Sequence, residues 1–138
     1  MGDAQMRDPA TNGEPGLPAE VSRSLTSVWN QYAGARPGGA ATEIRGNRVQ
    51  CVLSDAVRAL DQRFAAAEAE ADPCTENGRP QTRAAFRNDA IAAVGRVTGR
   101  RVVAFVSDHD TERDVATEVF LLDSAPRASR SRAILPGS

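Results

Sequence analysis

The sequence predicts an α+β domain, a small sheet with helices packed on one face, in the order α-β-β-α-α-β-β. Three observations carry this expectation. Apolar residues recur at helical spacing in stretches bounded by Gly and Pro. Short runs rich in Val, Leu, Ile and Phe have strand length. The Gly46-Asn47 dipeptide between the first two such runs is a two-residue hairpin signal.

The first helix follows Pro18, which suits an opening helical turn. Val21, Leu25, Val28, Trp29 and Tyr32 form its apolar face, and Gly34 supplies its stop. After the loop "ARPGGAA", the stretch "TEIRGNRVQCVL" reads as a short strand, a turn and a longer strand, with Val49, Cys51 and Leu53 on one face. The second helix opens with Ser54 or Asp55 as N-cap, carries Val57, Leu60, Phe64 and Ala67, and ends by Pro73. A third helix is expected over 81–98, with Phe86, Ala90, Ala93, Val94 and Val97 inward and Gly99 as its stop. Arg100 and Arg101 follow where cations favour the helix dipole. Two strands, Val102–Val106 and Val115–Leu122, close the domain. Gly/Pro-rich sequence at either end places the ordered domain at 18–123, with disordered tails at 1–17 and 124–138.

Bulk properties narrow the function. A chain of 138 residues is one domain. Its net charge of -1 gives no field that would draw it to nucleic acid or anionic lipid. All 17 basic residues are arginine, which fits a coding bias in a chain also abundant in Ala and Gly. The N-terminus has no apolar signal-peptide core and no aliphatic run is long enough to span a bilayer, so a cytoplasmic location is expected. Cys51 and Cys74 are then read as reduced thiols, Cys51 in the core and Cys74 in a loop.

Asp108, His109, Asp110 and Asp114 fall in a loop between the last two strands that holds the only histidine. A metal centre draws ligands from several elements in fixed geometry, whereas these all come from one loop. The loop is therefore read as a polar hairpin tip, with no metal and no cofactor expected. Ser107, Asp108 and His109 are chain neighbours rather than convergent groups, so a serine triad fails. No phosphate loop or dinucleotide fingerprint is present. With no catalytic residue to name, the expectation is a non-enzyme.

Candidate partner-binding residues are Arg79, Arg83 and Arg87, which recur every four residues on the third helix. The bland reading is a solvated face paired with Glu68, Glu70 or Asp72. Phe120 and Leu122 are further candidates. The last strand is apolar on both faces, Phe120 and Leu122 on one and Val119 and Leu121 on the other. Such strands are buried on both sides, and one helical layer covers only one side. A homodimer is therefore expected, closed two-fold contacts being the commonest solution.

Three stretches carry a family resemblance: "VWNQYAGARP" with Gly34 and Pro37, "VQCVLSDAVRALDQRF", and "FRNDAIAAVGRVTGRRVVAFVSDHDTERDVATEVFLL" with Thr98-Gly99 and Ser107-Asp108. From Val21 to Leu122 the chain resembles the MpsC-like domain family, named after a component of a sodium-translocating, membrane-potential-generating system. The resemblance implies no catalytic residue. It implies a soluble accessory or regulatory subunit associated with a membrane ion or bicarbonate transport system and acting through protein–protein contacts, with a membrane transport protein as partner and no direct insertion in the bilayer. Two alternatives stand beside it. The order α-β-β-α-α-β is also that of KH-like nucleic-acid-binding modules, although "DPCTENGRPQ" lacks the phosphate-clamping GXXG loop. The other is a plain homodimerisation domain.

Overall fold

The computed structural model describes residues 16–70 and 79–126. Helix α1 spans Leu17–Ala33 and is followed by strands β1 (Gly39–Arg45) and β2 (Arg48–Ser54). Helices α2 (Val57–Glu70) and α3 (Arg79–Thr98) precede β3 (Val102–Asp110) and β4 (Val115–Leu122). The element order is the expected one. All strand pairings are antiparallel, and the sheet order is β1-β2-β4-β3. β4 is therefore central, and β1 and β3 are the edges.

Helix α1 obeys its sequence signals. Val21, Leu25 and Trp29 are buried at helical spacing. Gly34 ends the helix in the left-handed region at φ 74°, donating its N–H to Asn30 O, a conformation that strains any residue with a Cβ. The helix begins one residue inside the expected N-terminal tail, since Leu17 is already helical and buried. At the other end Pro126, within the expected C-terminal tail, is fully buried, while Ser124 before it is exposed. The remaining tail residues, 1–15 and 127–138, lie outside the described residues, as do Cys74 and most of "DPCTENGRPQ".

The core forms between the helices and one face of the sheet. Val49, Cys51 and Leu53 of β2 and Ala116, Phe120 and Leu122 of β4 are buried against Val21, Leu25, Trp29, Leu60 and Phe86. Trp29 contributes the largest fully buried side chain. Its ring meets Phe86 edge-on at 5.0 Å, and its indole N–H donates to Ala56 O at 2.9 Å, so a large apolar surface enters the core with its polar group satisfied. Cys51 is a free buried thiol whose pKa burial pushes up. The Gly46-Asn47 turn also ties down the central strand. Asn47 Nδ2 donates to Leu122 O at 2.9 Å, and Leu122 N donates to Asn47 O at 2.8 Å.

Two local expectations fail. Neither Ser54 nor Asp55 caps α2, because Asp55 takes a left-handed backbone at φ 53°. The cap is supplied by Asp114, from the far hairpin. Strand β3 runs to Asp110 rather than stopping at Val106. Its polar half, Ser107 to Asp110, is held by ladder pairing with Glu118 to Val115 of β4; pairing overrides a composition that by itself reads as loop.

Candidate functional site

β-strand alternation places Glu118 on the buried face of β4, in the same phase as Ala116 and Phe120. The register sets Ser107 of β3 directly opposite it, and His109 one step along on the same face. The three side chains converge. His109 Nε2 lies 2.8 Å from Glu118 Oε2 and 3.0 Å from Ser107 Oγ, while Ser107 Oγ donates to Glu118 Oε2 at 3.1 Å. Glu118 is 1% exposed, and its second oxygen, Oε1, is buried without a hydrogen-bond partner. Trp29 covers the cluster from the helical layer, its ring 6.0 Å from the imidazole. The hydrogen bond to Glu118 raises the His109 pKa above its ordinary 6.5, against the opposing effect of burial; the charges of Glu118, Asp61 and Asp108 act in the same upward direction.

This geometry limits the chemistry. In a serine triad the imidazole takes the nucleophile's proton on one nitrogen and is held by the acid on the other. Here Ser107 and Glu118 share the same nitrogen and bond each other, so no relay links them. What the arrangement does well is pair a buried carboxyl group with a cation-capable ring. Cys51 and Thr42 extend the polar row across the sheet, being register partners of Glu118 and Cys51 respectively. Ser22 of α1 closes the row with a 2.7 Å hydrogen bond to Thr42. Among the described residues, no group of three or more His, Cys, Asp or Glu side chains is placed to hold a metal ion.

The residues read as a polar hairpin tip divide into two sets. Asp108, His109 and Asp110 belong to strand β3, and His109 turns inward. The tip itself is 111–114, and it is docked. Asp114 Oδ1 accepts from the backbone N–H groups of Val57 and Arg58, both at 2.8 Å. Arg58 returns the contact, its guanidinium donating to Thr111 O and Glu112 O. The tip is thus the N-terminal clamp of α2.

The candidate partner-binding residues are also redistributed. Arg83 pairs with Glu68 at 2.7 Å and lies over the Phe64 ring at 4.7 Å, the intramolecular pairing of the bland reading. Arg87 lies over Phe105 at 5.5 Å, and the Arg79 side chain is outside the described residues. Phe120 and Leu122 are 0% and 1% exposed, buried in the chain's own core. They are core residues and present nothing to a partner, because their strand phase faces the helices. The opposite phase is the uncovered one: Val106 and Leu121 are 61% and 37% exposed, and Val103, at the β3 register shift, is 56% exposed. Between α1 and α3 a groove of about 330 Å³ opens, lined by Ser24, Gln31, Asp89 and Arg96 among others. At its edge Tyr32 donates to Asp89 Oδ2 at 2.6 Å. Partial burial, with this carboxylate beside it, pushes the Tyr32 hydroxyl up to about 12, which keeps the phenol a donor.

Fold and site together define an antiparallel α+β domain with a buried carboxyl group paired to a partly exposed imidazole and an exposed hydroxyl, and a sheet covered on one face only. The chain belongs to the MpsC family, described as the Na+-translocating membrane potential-generating system (MpsC), whose sequence profile matches residues 16–124. No curated protein and no solved structure matches the chain. Among the described residues no helix is long and apolar enough to cross a membrane.

Proposed function

We propose that the chain is a non-catalytic accessory or regulatory subunit of a membrane ion or bicarbonate transport system, located in the cytoplasm and acting as a homodimer through protein–protein contacts. One observation carries the reading: a member of a family tied to a membrane-potential-generating system leaves one sheet face uncovered, with Val106 and Leu121 exposed around Val119. Exposed apolar side chains grouped on one face mark interaction sites. The non-catalytic part rests on the shared imidazole nitrogen and the depth of Glu118. Among the described residues no helix could carry an ion path across the bilayer, so the transport context reaches this chain through partners.

Flotation with two kinds of vesicle tests the reading. Native membrane vesicles containing the transport system should retain the protein, saturably, and protease treatment of the vesicles should abolish the retention. Protein-free liposomes of the same lipids should not retain it. Equal retention by both, or retention by neither, contradicts the proposal.

A further inference from the structure

The uncovered face is a four-by-four grid whose contents follow from the register. Across β1, β2, β4 and β3, its first row is Arg45, Arg48, Leu121 and Ala104; its second is Glu43, Gln50, Val119 and Val106. The third row is Ala41, Val52, Thr117 and Asp108, and the fourth Gly39, Ser54, Val115 and Asp110. Two arginines therefore occupy one corner and two aspartates the diagonally opposite corner. The other diagonal, Ala104–Val119–Val52–Gly39, is small and apolar.

Apart from Glu43, which meets Val115, this pattern is complementary to itself, with Arg45 and Asp110 exchanging their contacts to Glu43 and Arg113 for contacts across the axis. A two-fold axis lying in the face at 45° to the strands, close to the Ala104–Gly39 diagonal, carries Arg48 onto Asp108 and Arg45 onto Asp110. The same operation carries Leu121 onto Val106 and leaves Val119 and Val52 opposite their own copies. Strand spacing of ~4.8 Å and row spacing of ~6.8 Å differ, which offsets the paired positions by ~3–4 Å, a gap that an arginine side chain spans. The two sheets would cross near 90°, one of the two packing angles that sheets adopt. We infer that the occupant of this face is a second copy of the chain, docked sheet to sheet about that diagonal. The inference rests on the homodimer reading above and gives it an interface. The face measures roughly 19 by 27 Å, and crossed copies overlap over roughly 19 by 19 Å, about 370 Å² from each copy and about 740 Å² in total, below the range of stable specific interfaces. A weak dimer, with a dissociation constant on the order of tens of micromolar, is the expected consequence.

Charge exchange tests the geometry. Arg48 and Asp108 are both exposed, so Arg48→Glu and Asp108→Arg should leave the fold intact, which circular dichroism checks. Wild type should associate to a dimer over tens to hundreds of micromolar, and each variant alone should stay a monomer, since its copies oppose like charges on both sides of the axis. An equimolar mixture of the two variants should dimerise again, because both contacts are then opposite in charge. Val106→Asp should be monomeric alone and in any mixture. A wild-type dimer that survives all three substitutions would place the contact elsewhere and overturn this interface while leaving the homodimer standing. Loss of the dimer in both charge variants without recovery on mixing would overturn the diagonal axis. A monomeric wild type would overturn the dimer itself; if Val106→Asp then abolished retention by native vesicles, the face would belong to a different protein, and the accessory reading would survive.

Discussion

Glu118 and His109 concentrate the polar chemistry of the core. A buried carboxyl group is costly without partners, and here Oε2 has two while Oε1 has none. His109→Gln or His109→Ala removes the partner that can carry a positive charge, and should destabilise the fold by about 2 kcal/mol in mildly acid solution. The pH dependence follows from the raised pKa of His109. The folded state binds the proton more tightly than the unfolded chain, so the contribution is fully present below the ordinary 6.5 and lost as pH rises through the folded-state value. Urea unfolding of wild type and His109→Gln across this range should show a stability gap that narrows with rising pH. A gap that is constant, or that widens with pH, would contradict the pairing. This site was only half legible. The alternation in "VATEVFLL" puts Glu118 in the phase of Phe120 and Leu122, which marks it as a buried acid. Its partners could not be read, because they depend on the β3–β4 register, and the polar "SDHD" reads as loop until β4 is set beside it.

The elements join through their ends. Helix α2 lacks a cap in its own sequence, and Asp114 supplies one from 57 residues away in the chain. The β3–β4 hairpin and α2 should consequently open together. Asp114→Ala should cost about 1–2 kcal/mol, the usual effect of losing an N-cap. Amide exchange should accelerate in the first turn of α2 and at 111–114 more than in α1. Asp114→Asn should recover most of the loss, since asparagine also caps and tolerates the φ of 60° at this position. Unchanged exchange in α2 on Asp114→Ala would show that the clamp carries no stability. The stops of α1 and α3, by contrast, were legible in the sequence. Gly34 and Gly99 both take positive φ at the expected positions, because a C-cap is a local event written within a few residues of itself. A cap borrowed from another hairpin leaves no such local trace. Arg83 illustrates the same limit from the other side. Its four-residue recurrence with Arg79 and Arg87 is visible in sequence, but the contact with Glu68 and Phe64 needs α2 and α3 packed together. As an exposed ion pair it contributes little to stability.

At the scale of the whole molecule, the α+β class and the order of elements followed from periodicity and hairpin signals alone. The sequence reading put the partner-binding side of the last strand at Phe120 and Leu122; the structure turns these to the helices, and Leu121 and Val106 are the uncovered ones. Strand phase relative to the helices is set by which face packs on Trp29 and Phe86, and a strand apolar on both sides does not declare it. The consequence is that an MpsC-family chain of 14.6 kDa presents a sheet face complementary to itself. The open face is the surface proposed to act in this protein. Sedimentation equilibrium of wild type beside Val106→Asp puts that to the test. The wild-type mass should rise with micromolar concentration towards twice 14.6 kDa, and the Val106→Asp protein should be folded and monomeric throughout. Identical behaviour of the two proteins in sedimentation, with equal retention by native membrane vesicles, would contradict it.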